Sequence, residues 1–307
     1  MKTTKSKSHV KIKSAKNMFN LIKTYFSKKK CATLINFEDF FKCEKIFDLY
    51  GNSFLKLETN KRQKFCRILF NVTQFFIAIM ILHMELTVII DDTLDIVDIL
   101  ENLAFSCGFL LVLIETIFVV HWKRRDILNM INTLRVHFPC HVLDQHNFKV
   151  EKHLQTLNRT LLVFILILSI IAPVYCLMPI HAQIYGGITG THQNLTTVLH
   201  LTFPFDQMQH GIYELLFMYE AWITATCMLL LVINDMLFSS LVELTTMEFD
   251  IIADMISEIN IKKGAEAEKE LKELIDIHQQ LLEIVNTINE IFSPLMLINM
   301  LSVTIIA

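Results

Sequence analysis

Five apolar stretches constrain this chain more than any other feature of its sequence. Four of them approach or exceed about 20 residues, the length that a helix needs to cross a hydrocarbon core about 30 Å thick. The fifth is 17 residues long and reaches the last residue of the sequence. Only 19% of the 307 residues are charged, against about 25% in soluble domains. Because backbone polar groups in lipid must be satisfied within their own segment, the stretches predict an all-α, polytopic membrane bundle with five spans.

The positions of the basic residues predict which side of the membrane each loop faces. All 28 Lys and Arg fall in three segments, with 17 in residues 1–67, seven in 121–160 and four in 234–290. The intervening loops 91–98 and 179–211 have none. Since positive charge marks the cytoplasmic side, this alternation predicts a multi-pass protein with a cytoplasmic N-terminus.

The predicted organisation follows from these two patterns. The sequon at Asn194 lies in the second outer loop and is a candidate glycosylation site. In chain order we expect a cytoplasmic segment 1–67, a span 68–90, an outer loop 91–98, a span 99–120, a cytoplasmic loop 121–160, a span 161–178, an outer loop 179–211, a span 212–233, a cytoplasmic helical hairpin 234–290, and a span 291–307.

Apolar residues continue at helical spacing through both halves of the hairpin and predict two amphipathic helices. Lys262, Lys263 and Gly264 should separate the two helices. We expect the apolar stripe to pack against another subunit, because nothing else in the chain looks large enough to cover it; packing within one chain is the alternative. The stripe comprises Leu237, Leu241, Leu244, Ile251, Met255, Ile259, Leu271, Leu274, Leu281, Val285 and Ile288.

No pattern in the sequence indicates an enzyme. There is no glycine-rich phosphate loop, no nucleophile elbow and no HExxH motif, and the seven cysteines form no CxxC pair. We therefore expect no catalytic residues, no bound metal or cofactor, and no nucleic-acid partner; the lipid bilayer is the environment that the composition implies.

Acidic residues inside the spans are costly and tend to face a cavity or a partner. Glu115 and Glu220 are the deepest, whereas Glu85, Glu101 and Glu214 lie near the outer ends, where water is within reach. Two interpretations of the deep pair remain open: each carboxyl faces a hydrated cavity, or each is a protonated or hydrogen-bonded packing residue.

The outer halves of the second, third and fourth spans are rich in aromatic residues. A site for a small hydrophobic molecule should be apolar and aromatic with few polar groups, and packing against helices or lipid requires the same residue types. The candidate ligand-binding residues are Phe105, Ser106, Phe109, Tyr175, Tyr213, Phe217 and Trp222.

With this topology, the chain resembles an insect odorant receptor from about residue 40 to residue 307. The resemblance lies in the order, spacing and orientation of several short segments. They are Leu49-Tyr50-Gly51 before the first span, Phe203-Pro204-Phe205-Asp206 before the fourth, Asn234-Asp235-Met236-Leu237-Phe238 after it, and His278-Gln279-Gln280-Leu281-Leu282 with Asn289-Glu290-Ile291-Phe292 before the fifth.

The resemblance implies a seven-helix receptor with its N-terminus inside, in the plasma membrane of olfactory neuron dendrites. It implies a hetero-tetramer with a shared co-receptor that forms a non-selective cation channel opened directly by a small volatile odorant. The family's pocket lies among the helices that carry the candidate residues, and its last helix lines the pore. Because this chain ends in the fifth span, we expect a partial or truncated form that cannot form an odorant-gated pore by itself.

Three other classes of membrane protein are alternatives to an odorant receptor. A gustatory receptor would share the orientation, and its most useful distinguishing features lie in a seventh helix. A G-protein-coupled receptor would place its N-terminus outside, against the distribution of Lys and Arg. A transporter should carry an internal repeat or a broken helix pair, and neither is evident.

Overall fold

The structure, a computed structural model, describes residues 34–49, 52–55, 60–90, 96–189, 211–259 and 264–306, together with positions 199, 205 and 209. Within these ranges every regular element is a helix, which confirms the predicted all-α class. A 3₁₀ turn at Phe37–Phe40 precedes α1 (Glu44–Leu49), and a π-helical segment (Phe118–Trp122) follows α3. The remaining helices are α2 (Lys61–Ile90), α3 (Ile96–Ile117), α4 (Arg124–His137), α5 (Val142–Asn147), α6 (Val150–Thr189), α7 (Ile212–Glu258) and α8 (Ala265–Ile306).

Four helices in the described part of the chain are long and apolar enough to cross a membrane. They are α2, α3, α6 and α7, which contain the first four predicted spans. The helices extend beyond the apolar runs: α2 begins at Lys61 and α6 runs from Val150 to Thr189. Hydropathy locates the part of a helix that lies in lipid, and it carries no information about where the helix ends in water.

The predicted cytoplasmic hairpin is formed by α7 and α8. With 47 residues, α7 is about 70 Å long at 1.5 Å per residue, more than twice the thickness of a hydrocarbon core about 30 Å thick. Gly264 follows with φ +56°, a conformation that favours glycine, and α8 begins at the next residue. The break therefore lies where the sequence predicts it.

The helices pack into one bundle with a continuous core. α6 packs along α7, α2 pairs with α3, α8 lies against α7, and α3 touches both α7 and α8. Large apolar side chains remain exposed along α2 and α6, among them Phe75 and Ile170. In lipid such a surface carries no hydrophobic penalty, because the acyl chains are as apolar as leucine.

The segment before α2 is attached to the start of α4 by a buried carboxylate and a guanidinium. Glu44 accepts hydrogen bonds from the hydroxyl of Ser53 and from the backbone N–H groups of Phe54, at 2.9 Å, and Leu55, at 3.0 Å. Arg124, the first residue of α4, donates to the carbonyl of Asn52 at 3.0 Å and to that of Ser53, and its guanidinium carbon lies 4.8 Å from the centre of the Phe54 ring.

A second attachment lies at the opposite end of α4. The Gln145 side chain mimics a backbone amide: its Oε1 accepts from the N–H of Ile35 at 2.9 Å and its Nε2 lies 2.7 Å from the Ile35 carbonyl. The Nη2 of Arg135 lies 3.4 Å from the Oε1 of Glu38, and its guanidinium stacks over the ring of Phe37. These contacts pin residues 34–38 to α4 and α5.

Part of the apolar stripe of the hairpin is covered by this chain itself, whereas the sequence predicts that another subunit covers it. Leu237, Leu241 and Leu244 are buried within this single chain, so the premise that the chain lacks elements to cover them is wrong. The helices α3, α4, α6 and α8 of the same chain pack against α7. Met255, Leu271 and Val285 remain exposed, and these positions leave apolar surface for a partner.

A candidate ligand site in the outer half of the bundle

The outer half of α3 carries two of the candidate aromatic residues and a buried hydroxyl. The rings of Phe105 and Phe109 lie 6.3 Å apart, with Phe109 buried. Ser106, on the same helix, hydrogen-bonds to the carboxylate of Glu85 on α2. Glu85 does not simply reach water, as its place near a span end suggested; it joins α2 to α3.

The first two turns of α7 carry a second aromatic pair. Tyr213 and Phe217 stack with their ring centres 6.3 Å apart, and both are half-buried. Trp222 differs from them, because 46% of its surface is exposed. Phe105, Phe109 and Phe217 contribute to the same continuous core, whereas Trp222 lies on an outward face of the bundle.

Glu220, on α7 beyond Tyr213 and Phe217, is hydrogen-bonded to a buried residue of segment 179–211. Its side chain is 0% exposed, and its Oε2 accepts a hydrogen bond from the backbone N–H of Leu199 at 2.9 Å. Leu199 belongs to the second outer loop and is itself buried. Of the two interpretations of Glu220, this geometry favours a hydrogen-bonded structural carboxyl, one that ties the loop to α7.

The remaining candidates are less fully described. Tyr175 lies on α6, and its side chain is outside the described part of the chain; Asn194 is outside the described residues altogether. The next residue, Cys176, has its Sγ 3.9 Å from the carbonyl oxygen of Ala221, so this turn of α6 runs directly beside α7. Glu115 is buried on α3, away from the outer aromatic pairs.

Sequence reasoning missed several buried polar groups of the outer half. Asn102 on α3 and Thr224 on α7 are buried. Each lies four residues from a group already singled out, Ser106 and Glu220 respectively, and residues at this spacing share a helix face. A search for polar residues at i and i+4 inside the spans would have found both.

The arrangement is better suited to binding a small, weakly polar molecule than to catalysing a reaction. Aromatic pairs on α3 and α7 provide apolar surface, and a few hydroxyl, amide and carboxyl groups can fix the orientation of a bound molecule. In the part of the chain that the structure describes, no three His, Cys, Asp or Glu side chains are grouped to hold a metal ion. The outer half therefore provides a surface that can bind a small molecule.

Known proteins resemble the chain over most of its length. The family model for the 7tm odorant receptor matches residues 95–307. Odorant receptor 85c of Drosophila melanogaster is 20% identical over 202 residues, which cover 65% of this chain and 52% of that receptor. The chain thus spans about half the length of this relative.

Solved structures share the fold. The insect olfactory receptor OR5 from Machilis hrabei has a TM-score of 0.66 at 14% identity, over 88% of this chain and 68% of that one. The same receptor in complex with eugenol has a TM-score of 0.65 over the same shares. At this identity the likeness establishes the helical architecture, and the family match covers well over half of the chain. This chain belongs to the 7tm odorant receptor family.

Proposed function

We propose that this chain is an odorant receptor subunit that forms, with a shared co-receptor, a non-selective cation channel opened by small hydrophobic odorants. The proposal rests on family membership together with the aromatic and polar lining of the outer half. Its site is the surface formed by Phe105, Ser106, Phe109, Tyr213 and Phe217. Its location is the plasma membrane, expected to be that of olfactory neuron dendrites.

Two observations support a ligand in the outer half. A receptor of the same fold has been solved with eugenol, a small molecule. In this chain, the Ser106–Glu85 hydrogen bond and the Glu220–Leu199 hydrogen bond fix α2, α3, α7 and the outer loop around the aromatic pairs. A ligand site needs such preorganised walls, because ordering them on binding would cost affinity.

Electrical recording tests the proposal. The receptor that carries this chain is expressed in cells with and without the odorant co-receptor, and whole-cell current is recorded during exposure to a broad odorant panel. We expect odorant-evoked cation current with a ligand ranking that the co-receptor alone lacks. A surface-expressed complex that responds to no odorant, or that responds as the co-receptor does alone, would overturn the proposal.

The orientation gives a separate prediction. Epitope tags at the N-terminus and within loop 179–211 should differ in accessibility, because basic residues crowd the first site and are absent from the second. In intact cells, antibody should stain only the loop tag; after permeabilisation it should stain both. Surface staining of the N-terminal tag would contradict the inverted orientation and favour a G-protein-coupled topology.

A further inference from the structure

An open cavity of about 520 Å³ lies at the cytoplasmic end of α3, outside the candidate odorant site. It forms where the π-helical segment ends and α4 begins. Its lining combines an aromatic side chain, three basic side chains, one acidic and one apolar: His121, Trp122, Arg124, Arg125, Asp126 and Leu128.

The cavity carries an excess of positive charge. Asp126 is already paired with Lys123 at 3.2 Å, and the Arg125 guanidinium is exposed with no ion pair to another described residue. Burial and the charge of nearby Arg67 lower the pKa of Arg124, and Glu44 opposes that shift. Arg67 therefore lies close enough to add its field to the group.

Backbone dipoles add to this field. Arg124, Arg125 and Asp126 form the first turn of the 14-residue helix α4, whose N-cap residue, Lys123, makes no capping hydrogen bond from its side chain to the first-turn amides. First-turn amides have no intrahelical acceptor, and the helix dipole makes that end attractive to anions. Charged side chains and a helix start thus converge on one cavity.

The cavity also adjoins the lipid. Trp122 is 75% exposed, as expected of a tryptophan at the headgroup level. On α2, the exposed apolar residues Phe65, Ile68 and Leu69 lie on both sides of Arg67 in the sequence. A molecule in the cavity would have its charged part among arginines and its acyl chains along α2.

We propose that this cavity binds the headgroup of a phosphoinositide in the inner leaflet. Basic pockets between membrane helices on the cytoplasmic side recognise such headgroups; here the Arg125 guanidinium can bind a phosphate of the inositol ring, and Arg124 adds its positive field while it holds the carbonyls of Asn52 and Ser53. Phosphatidylserine fits less well, because its ammonium group would meet the same positive field. The position beside lipid-facing surface selects the membrane lipid over a soluble phosphate.

The chain supplies its own probe for a test. It contains two tryptophans, so Trp222→Phe leaves Trp122 as the single reporter in the cavity. The purified chain in detergent is titrated with dioctanoyl phosphatidylinositol 4,5-bisphosphate, with dioctanoyl phosphatidylserine and with soluble inositol trisphosphate, and Trp122 fluorescence is recorded. We expect saturable binding of the phosphoinositide, at least fivefold tighter than of either other molecule.

Substitutions at the exposed arginine decide whether the cavity is responsible. Arg125→Gln should weaken phosphoinositide binding about fivefold, the effect of one cation near an anionic surface, and Arg125→Lys should retain most of the affinity. Arg159→Gln, which removes an exposed arginine from α6, is the matched control and should bind as the parent does. Equal effects at Arg125 and Arg159, equal binding of phosphatidylserine or of the soluble headgroup, or a loss in Arg125→Lys as large as in Arg125→Gln would each overturn the proposal.

Discussion

Replacing Arg124 with methionine is expected to lower the free energy of unfolding by about 2–3 kcal/mol, the range for hydrogen bonds that involve a charged group. The guanidinium satisfies the carbonyls of Asn52 and Ser53 and covers the ring of Phe54. Methionine fills similar volume and leaves those carbonyls without these donors. Lysine at this position should not restore stability, because it lacks the forked geometry that reaches two carbonyls.

Thermal unfolding in nanodiscs measures the effect. Arg159→Met is the control, since substitutions of exposed residues usually stay within about 0.5 kcal/mol. Arg124→Met and Glu44→Gln should also be coupled in a double-mutant cycle, because Glu44 holds the loop whose carbonyls Arg124 binds. If Arg124→Met unfolds at the same temperature as Arg159→Met, the guanidinium does not anchor the N-terminal segment.

A second large effect should come from Glu248, on the cytoplasmic extension of α7. Its side chain is 2% exposed, and its Oε1 has no hydrogen-bond partner among the described residues. Burial raises the pKa of Glu248 from 4.5 to about 8. The folded chain therefore holds a proton that the unfolded chain releases between those values, so stability falls as the pH rises from about 5 to about 8.

Glu248→Gln should remove this dependence. The variant should match the parent near pH 4, where Glu248 is protonated in the folded chain and mostly protonated in the unfolded one, and should exceed its stability by on the order of 3 kcal/mol at pH 7, given about 1.4 kcal/mol per pKa unit. Glu258→Gln, at the exposed end of α7, is the control. Comparing variant with parent at each pH cancels the contributions of all other groups in the chain. A difference that stays constant from pH 5 to pH 8 would show that Glu248 does not carry the proton.

Local patterns predicted the all-α class and the long apolar helices α2, α3, α6 and α7. Apolar runs of membrane length gave the spanning helices, and the Lys262–Gly264 break gave the hairpin, because both depend on residues close together in the chain. The acidic and aromatic residues of the outer half could be assigned to helices for the same reason. Their grouping on α3 and α7 follows from helical periodicity.

Contacts between distant residues could not be predicted in this way. Arg124 lies more than 70 residues from the carbonyls that it binds, and Ser106 lies 21 residues from Glu85. In the sequence, Arg124 appears only as a cation near the inner leaflet, and Glu85 appears only as a carboxylate near water. Each is an ordinary feature of the end of a span. Only the packing of helices, which no local pattern specifies, determines that these groups meet. The exposure of Trp222 could not be predicted for the same reason, since helical periodicity does not determine which face of a helix packs against the rest of the bundle.

The most direct test of the account compares odorant rankings of receptors altered in the outer half. Phe109→Ala and Phe217→Ala are expressed with the co-receptor, and concentration–response curves are measured for several odorants at equal surface level. Phe75→Ala, on the exposed face of α2, removes an equally large ring outside the proposed site. The account predicts that both inner variants change the ratio of half-maximal concentrations between two odorants about tenfold, which corresponds to about 1.4 kcal/mol, while Phe75→Ala leaves it unchanged. Unaltered rankings in both inner variants, or an equal change in Phe75→Ala, would contradict it.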